Sequence, residues 1–293
     1  MDLVVLLATG LALISAVEAV AWRISLRLEN AAVADVVWPI AIAATAWWGA
    51  LVADGVAARR LVLLVLVTAW AVRLALHLAI RIARHGEDRR YAAMRERHGE
   101  AFRRVSLWTV FGFQGLLAWM VSLPLMFGMA ADRPRALTAA AVLGIVVWAV
   151  GFAFETVADW QLARFRRRRD RGGDVLQTGV WRYSRHPNYF GEVCVWWGIF
   201  LVVAPTPLGF AAVVGPLLVT VLVTRVSGVP LTEKGIGTRR PAYREYAFRT
   251  NAFFPGPPRD TPTARTVMPS LDALARQRER RFGGRSGPPP IHP

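Results

Sequence analysis

Apolar residues in this chain fall into blocks separated by short polar stretches. The blocks lie near 3–22, 32–53, 61–82, 108–130, 136–158, 188–206 and 208–226. Each approaches the ~20 apolar residues that a helix needs to cross a hydrocarbon core. The pattern predicts an all-α, polytopic integral membrane protein with about seven transmembrane helices. The first block has Asp2 as its only early charge, with Glu18 and Trp22 toward its end. A signal peptide would carry a basic start and a small-residue cleavage site, so this block reads as a retained span.

Arginine sets the expected orientation. It is dense over 81–105 and 164–186 and again after 226, whereas 204–208 carries no charge and 131–135 is short. Cytoplasmic loops carry the excess of basic residues, which puts both dense loops and the C-terminus in the cytoplasm and the N-terminus outside. Arg59 and Arg60 run against this balance, because they fall in an outside loop.

Composition narrows the class further. The chain is 54% apolar and 19% charged, with a net charge of +16 that rests almost wholly on arginine. Such a charge would also suit nucleic acid, but the basic residues sit between spans and in the tail, not along one soluble face. The expected partners are therefore membrane lipids and a hydrophobic small molecule, with no nucleic acid. Cys194 is the single cysteine, which excludes an internal disulfide and a multi-cysteine metal cage. The five histidines include no pair at zinc-ligand spacing, so no metal is expected. Residues 1–255 read as one membrane domain, with a cofactor-binding half over about 155–255. The segment 256–293, rich in Pro and Arg, reads as a disordered cytoplasmic tail that holds at most a short surface helix around 270–281.

The densest polar chemistry lies at 178–192, Thr-Gly-Val-Trp-Arg-Tyr-Ser-Arg-His-Pro-Asn-Tyr-Phe-Gly-Glu. It runs directly into the apolar stretch 193–203. Pro187 suits a first helical turn, because its missing N–H would be unpaired there anyway. A helix starting there puts Asn188 and Glu192 one turn apart on one face, about 6 Å along the axis. An unpaired carboxylate just inside the apolar layer is expensive, which argues for a polar ligand. Arg182, Arg185, His186, Asn188, Tyr189 and Glu192 are the candidates to hold it.

Other polar residues reach the same leaflet in a seven-span topology. Glu18, Asp35, Arg73 and His77 would converge there on a polar cavity open to the cytoplasm, although each alone also reads as an interfacial anchor. The box 87–95, Glu-Asp-Arg-Arg-Tyr-Ala-Ala-Met-Arg, reads either as a surface ion-pair network or as a cofactor lip. Asp159 stands near the end of the fifth span, and Arg164 and Arg166 lead into a run through Arg169. Arginines there anchor a span, and they also suit phosphates through bidentate hydrogen bonds. Lys234, Tyr243 and Tyr246 follow the last span, either as a lid over a nucleotide or as a helix on the membrane surface. No Walker loop, dinucleotide glycine fingerprint or nucleophile elbow is present, so the membrane helices and their cytoplasmic loops must hold any cofactor.

Residues 185–192, with Ser-Gly-Val-Pro-Leu-Thr-Glu-Lys at 227–234 behind them, resemble the C-terminal half of the steroid 5α-reductase superfamily. The nearer match is its bacterial branch, once catalogued as a domain of unknown function. The 87–91 box, the Gln114 region and Ser122-Leu-Pro124 are similar to that branch as well, so the resemblance spans most of 30–255. It implies a seven-helix membrane fold with NADPH held among the later helices. By position, Asp159, Arg166, Asn188 and Glu192 match family residues near the cofactor, and Tyr189 belongs to the same motif. The substrate-binding tyrosine of the steroid enzymes corresponds here to Trp70, and Asp35 is a loose counterpart of their acid. Arg185-His-Pro-x-Tyr-x-Gly191 also resembles the isoprenylcysteine carboxyl methyltransferases, which bind S-adenosylmethionine and complete their site with a late glutamate and aromatic residues. The expected activity is NADPH-dependent reduction of a C=C bond in a steroid-, isoprenoid- or lipid-like enone, in the inner or plasma membrane. Asp35 and Tyr91 are the candidate proton donors. The alternative is an S-adenosylmethionine-dependent membrane methyltransferase.

Overall fold

A computed structural model describes residues 2–167, 174–234, 236, 240 and 242–259. Arg168 and Arg169 of the arginine run, the tail beyond 259 and the surface helix expected within it lie outside the described residues. Every regular element among the described residues is helical. The principal helices are α1 (Leu3–Leu28), α2 (Val33–Val52), α3 (Ala57–His85), α4 (Arg89–His98) and α5 (Phe102–Ser106). A π-helical stretch, Leu107–Gly112, leads into α6 (Phe113–Ala130), followed by α7 (Ala139–Arg166) and α8 (Pro187–Val203). A 3₁₀ turn, Gly209–Val213, opens α9 (Val214–Val221), and α10 (Val229–Glu233) and α11 (Ala242–Arg249) close the described chain.

Six helical runs are long and apolar enough to cross a membrane: Leu3–Leu28, Val33–Val52, Ala57–His85, Arg89–Ala130, Ala139–Arg166 and Gly209–Glu233. The seventh apolar block forms α8, which is shorter at 17 residues. Val4, Leu51, Val65, Val146 and Phe210 each remain more than half exposed on the outside of the bundle. Apolar surface of that extent suits lipid, not water.

The helices outrun the apolar blocks that announce them. α1 continues through Arg23 and Arg27 to Leu28, and α3 through Arg81 and Arg84 to His85. Arginine is a good helix former whose aliphatic stem can lie along apolar surface, so its charge ends a membrane block without ending the helix. For the same reason 81–105 is mostly helix instead of loop. Gly86 stops α3 at a φ of 72°, which a residue without a Cβ adopts readily. Asp88 then starts α4, accepting a hydrogen bond from the Arg90 backbone N–H at 3.0 Å.

Helices α7 and α8 run antiparallel in the closest contact of the fold. Gly144 and Gly151 on α7 meet Gly198 and Gly191 on α8, each pair two turns apart along its helix. A methyl group at Gly151 would lie 2.6 Å from the Gly191 carbonyl oxygen, and one at Gly191 would lie 2.6 Å from the Glu155 nitrogen. Small residues of this kind let two backbones approach where lipid offers no hydrophobic drive for association. Trp70 of α3 packs edge-on against Trp196 of α8, ring centres 5.1 Å apart, and carries the contact to the rest of the core.

Gly191→Val should therefore be costly. The obstructing atoms are backbone, so the destabilisation should reach or exceed the upper end of the roughly 1–3 kcal/mol typical of overpacking. Thermal unfolding in detergent would measure it, with Ala153→Val on the exposed face of α7 as a control that stays near the parent protein.

Candidate functional site

The glycine seam brings two i, i+4 pairs face to face: Glu155 and Asp159 on α7, Asn188 and Glu192 on α8. Arg73 of α3 reaches both α7 acids. Its guanidinium pairs with Glu155 and lies 2.7 Å from Asp159 Oδ2. Asn188 Nδ2 donates to the other Asp159 oxygen at 3.3 Å, and His77 Nε2 stands 3.9 Å from Asp159 Oδ2. Glu155 is buried, and one of its oxygens has no hydrogen-bond partner. Glu192 is half-buried and makes no hydrogen bond or ion pair among the described residues. Three carboxylates thus surround one guanidinium. Such a surplus of acceptors fits a ligand that presents hydroxyl or amide N–H groups.

Arg73, His77 and Arg81 share one face of α3 at four-residue spacing, and this face joins the first network to a second. Arg81 lies 3.3 Å from Asp35 Oδ2 at the start of α2, about 12 Å along the axis from Arg73. Asp35 Oδ1 accepts the Tyr91 hydroxyl at 2.7 Å. Gln114 Nε2 donates to Tyr91 Oη at 3.0 Å and approaches Asp35 Oδ1 at 3.4 Å, while its own carbonyl oxygen is buried and unpartnered. The neighbouring acids of the 87–95 box hold this arrangement together. Glu87 pairs with Arg95 at 2.9 Å and accepts from the Ala31 N–H at 2.6 Å, and Asp88 binds the Arg90 side chain at 3.0 Å. The two catalytic candidates, drawn from helices 56 residues apart, touch each other. Glu18 joins neither network. It is buried against Gly115 of α6, with neither carboxyl oxygen hydrogen-bonded.

The 178–192 stretch is held by a carboxylate that follows the last span. Glu233 Oε1 lies 2.9 Å from Arg185 Nε and 2.9 Å from His186 Nε2, and it accepts the Tyr243 hydroxyl at 3.0 Å. Arg185 also donates to the Ala247 carbonyl at 2.7 Å. Arg185, His186 and Tyr243 are thereby gathered around Glu233, apart from the Arg73 cluster. Tyr246 is buried, its hydroxyl donating to the Trp181 carbonyl at 2.6 Å. Tyr189 stacks on His186 at 5.5 Å, and its hydroxyl lies 3.2 Å from Thr232 Oγ1.

The remaining cations are dispersed. Arg164 covers the ring of Trp160 on the exposed side of α7, Arg166 is exposed and near enough to His77 to act on it electrostatically, and Lys234 is exposed beyond α10. Arg182 lines a cavity of about 330 Å³ with Gln177, Thr178, Gly179, Arg249 and Thr250. Two arginines, Arg182 and Arg249, thus flank a cavity beside the 178–192 stretch.

Glu155, Gln114, Glu233 and Arg249 complete these networks without having stood among the sequence candidates. Glu155 had a legible signal, a carboxylate four residues before Asp159 inside an apolar block. Glu233 fell within the 227–234 motif, but its partners, 47 and 48 residues away, were not legible from the sequence.

His186 supplies a pH signature. Burial pushes its imidazole below the usual range, and the hydrogen bond to Glu233 offsets this only in part. The folded state then keeps His186 neutral while the unfolded chain takes up a proton near pH 6.5. Stability should fall as pH drops through that value, because the unfolded state binds the extra proton. Melting temperatures between pH 7.5 and 5.5 should show this decline, and His186→Gln should flatten it. An unchanged slope would assign the decline to other groups.

The comparisons with known proteins give a family and no activity. The chain is 25% identical over 270 residues to an uncharacterised protein of the fission yeast Schizosaccharomyces pombe, covering 80% of this chain and 76% of that one. No solved structure matches it. A family model described as a protein of unknown function, DUF1295, matches residues 21–250, and the chain belongs to that family.

Proposed function

We propose that this protein is a membrane-embedded, NADPH-dependent reductase of a C=C bond conjugated to a carbonyl in a hydrophobic molecule. One observation carries the reading. The acceptor-rich Arg73–Glu155–Asp159–Asn188–Glu192 cluster and the Asp35–Tyr91–Gln114 network adjoin along a single face of α3. The first suits the hydroxyl and amide donors of a dinucleotide. Its phosphates have candidate partners in Arg182 and Arg249, which flank the cavity beside the 178–192 stretch. When bound, NADPH would supply the hydride.

The chain's own part is to polarise the carbonyl and deliver a proton. Tyr91 can turn its hydroxyl hydrogen from Asp35 toward a carbonyl oxygen, with Gln114 still donating to Tyr91 Oη. Donors fixed in an apolar surrounding stabilise a developing enolate more than water would. The apolar core around Trp70 and Trp196 keeps water from this chemistry.

One contact favours a second reading. Glu233 binds Arg185 and His186, as a late glutamate would in an S-adenosylmethionine-dependent methyltransferase of the isoprenylcysteine type. Methyl transfer, however, gives no role to the Tyr91 donor network. The reductase reading uses both networks.

Titrating detergent-solubilised protein with NADPH, NADH and S-adenosylmethionine should give binding in that order of preference. Glu192→Gln, nearly isosteric, should weaken NADPH roughly tenfold to a hundredfold while folding survives, the scale of one lost charge-assisted contact. Tight S-adenosylmethionine binding with no NADPH binding would overturn the reductase in favour of the methyltransferase.

The same reading places seven spans in an inner or plasma membrane, with α8 as the short one, the N-terminus outside and the cofactor cluster facing the cytoplasm. α8 extends about 25 Å, enough to cross a locally thinned core. Arg59 and Arg60, the outer-loop exceptions, spend their guanidinium groups on backbone carbonyls and so weigh little as free charge. Cysteines introduced at 131–135 and 204–208 should label from outside intact cells, while sites at 87–91 and 174–177 stay protected. The reverse pattern would put the cluster on the wrong side of the membrane for cytoplasmic NADPH.

A further inference from the structure

Four arginines gather at the end of the bundle opposite the polar networks. Arg59 and Arg60 lie at the start of α3, and Arg133 and Arg135 lie in the turn between α6 and α7. The fold uses two of them. Arg59 is buried and donates to the Arg133 and Pro134 carbonyls at 3.0 and 2.7 Å, and Arg60 donates to the Ala50 carbonyl. The side chains of Arg133 and Arg135 are exposed and meet no acceptor among the described residues.

Both line an open cavity of about 590 Å³, together with Pro134, Pro205, Thr206 and Pro207. Its opposite wall is the turn between α8 and the Gly209–Val213 element. Thr206 donates its backbone N–H to Val203 at 2.9 Å, and its carbonyl accepts from Gly209 at 2.9 Å. Its hydroxyl oxygen is buried and has no hydrogen-bond partner. Three prolines restrict both walls, so little ordering remains to be done when a ligand enters. The nearest acid in sequence, Asp132, interacts electrostatically with Arg59 and does not line the cavity.

We propose that this cavity binds a phosphate-bearing group, held by the guanidinium groups of Arg133 and Arg135 with the Thr206 hydroxyl as a further donor. A guanidinium presents a planar fork of N–H donors that matches phosphate oxygens two at a time. The cavity lies beside the end of α6, the start of α7 and the end of α8, where these apolar helices give way to polar turns, and its volume is that of a small-molecule site. Two sources carry this chemistry: the headgroup of an anionic phospholipid and a soluble phosphate ester. The site is independent of the cofactor reading, because it lies at the other end of every helix that builds the polar cluster.

The test uses the full-length protein in detergent. Native mass spectrometry would count phosphatidylglycerol and phosphatidylcholine retained by the parent, by Arg133→Gln/Arg135→Gln and by Thr206→Val. Arg103→Gln/Arg104→Gln, which removes two exposed charges at the other end, serves as the charge control. A parallel arm measures whether pyrophosphate raises the melting temperature or displaces the retained lipid. The parent should hold phosphatidylglycerol about tenfold or more better than the Arg133/Arg135 variant, with Thr206→Val in between. Retention without any pyrophosphate effect assigns the site to lipid, and stabilisation by pyrophosphate in lipid-free protein assigns it to a soluble ester. The proposal falls if the folded Arg133/Arg135 variant matches the parent in both arms, or if the Arg103/Arg104 control loses as much.

Discussion

The backbone contact between α7 and α8 is the constraint on which the rest depends. Four glycines let the helices close until carbonyl and amide groups of one helix stand where a side chain of the other would be. At that distance the polar residues of α7 and α8 meet without spanning a gap. Arg73 can then serve two carboxylates of α7 while Asn188 of α8 shares one of them. A wider helix pair would take Asn188 out of hydrogen-bond reach of Asp159 and leave the α7 acids to Arg73 alone.

Much of the architecture was legible from residue order. The apolar blocks located the long helices, and Pro187 marked the start of α8. The Asp159–Asn188 contact and the Asp35–Tyr91 contact join residues that the sequence had singled out separately. Helix ends were less legible, because arginine interrupts hydropathy without interrupting a helix, as Arg23 and Arg27 in α1 illustrate. The 178–192 stretch was harder still. Its density of polar groups was plain, but their division between ligand-facing and structural duties was not. That division is made by Glu233 and by Tyr246, groups remote in sequence whose approach depends on how the chain returns after α9.

Polar groups inside the bundle follow a consistent economy. Cations rarely stand alone where they are buried: Arg73 faces two acids, Arg59 two carbonyls, and Arg185 an acid and a carbonyl. Acids are treated less generously. Glu18 is wholly unpartnered, Glu155 keeps one open oxygen, and Glu192 is without an ion pair among the described residues. Unpartnered donors are buried as well, at the Trp70 and Trp148 indoles, so open hydrogen-bonding positions of both kinds remain inside the bundle.

The π-helical stretch at Leu107–Gly112 has a consequence of a different kind. It lies within one continuous helical rod from Phe102 to Ala130. A π turn accommodates an extra residue without lengthening the rod much, and so it changes the angular phase between the segments on either side. Before it, Phe102 and Ser106 face inward, and after it Gln114 points at Tyr91 and Asp35. The stretch acts as a phase shifter. Removing a single residue there would act less as a shortening than as a rotation of α6 by roughly a quarter turn. Gln114 would swing off its partners while every residue of its immediate sequence stayed the same. In such a chain, an alignment gap of one position in this stretch carries more structural meaning than several substitutions on the lipid-facing surface.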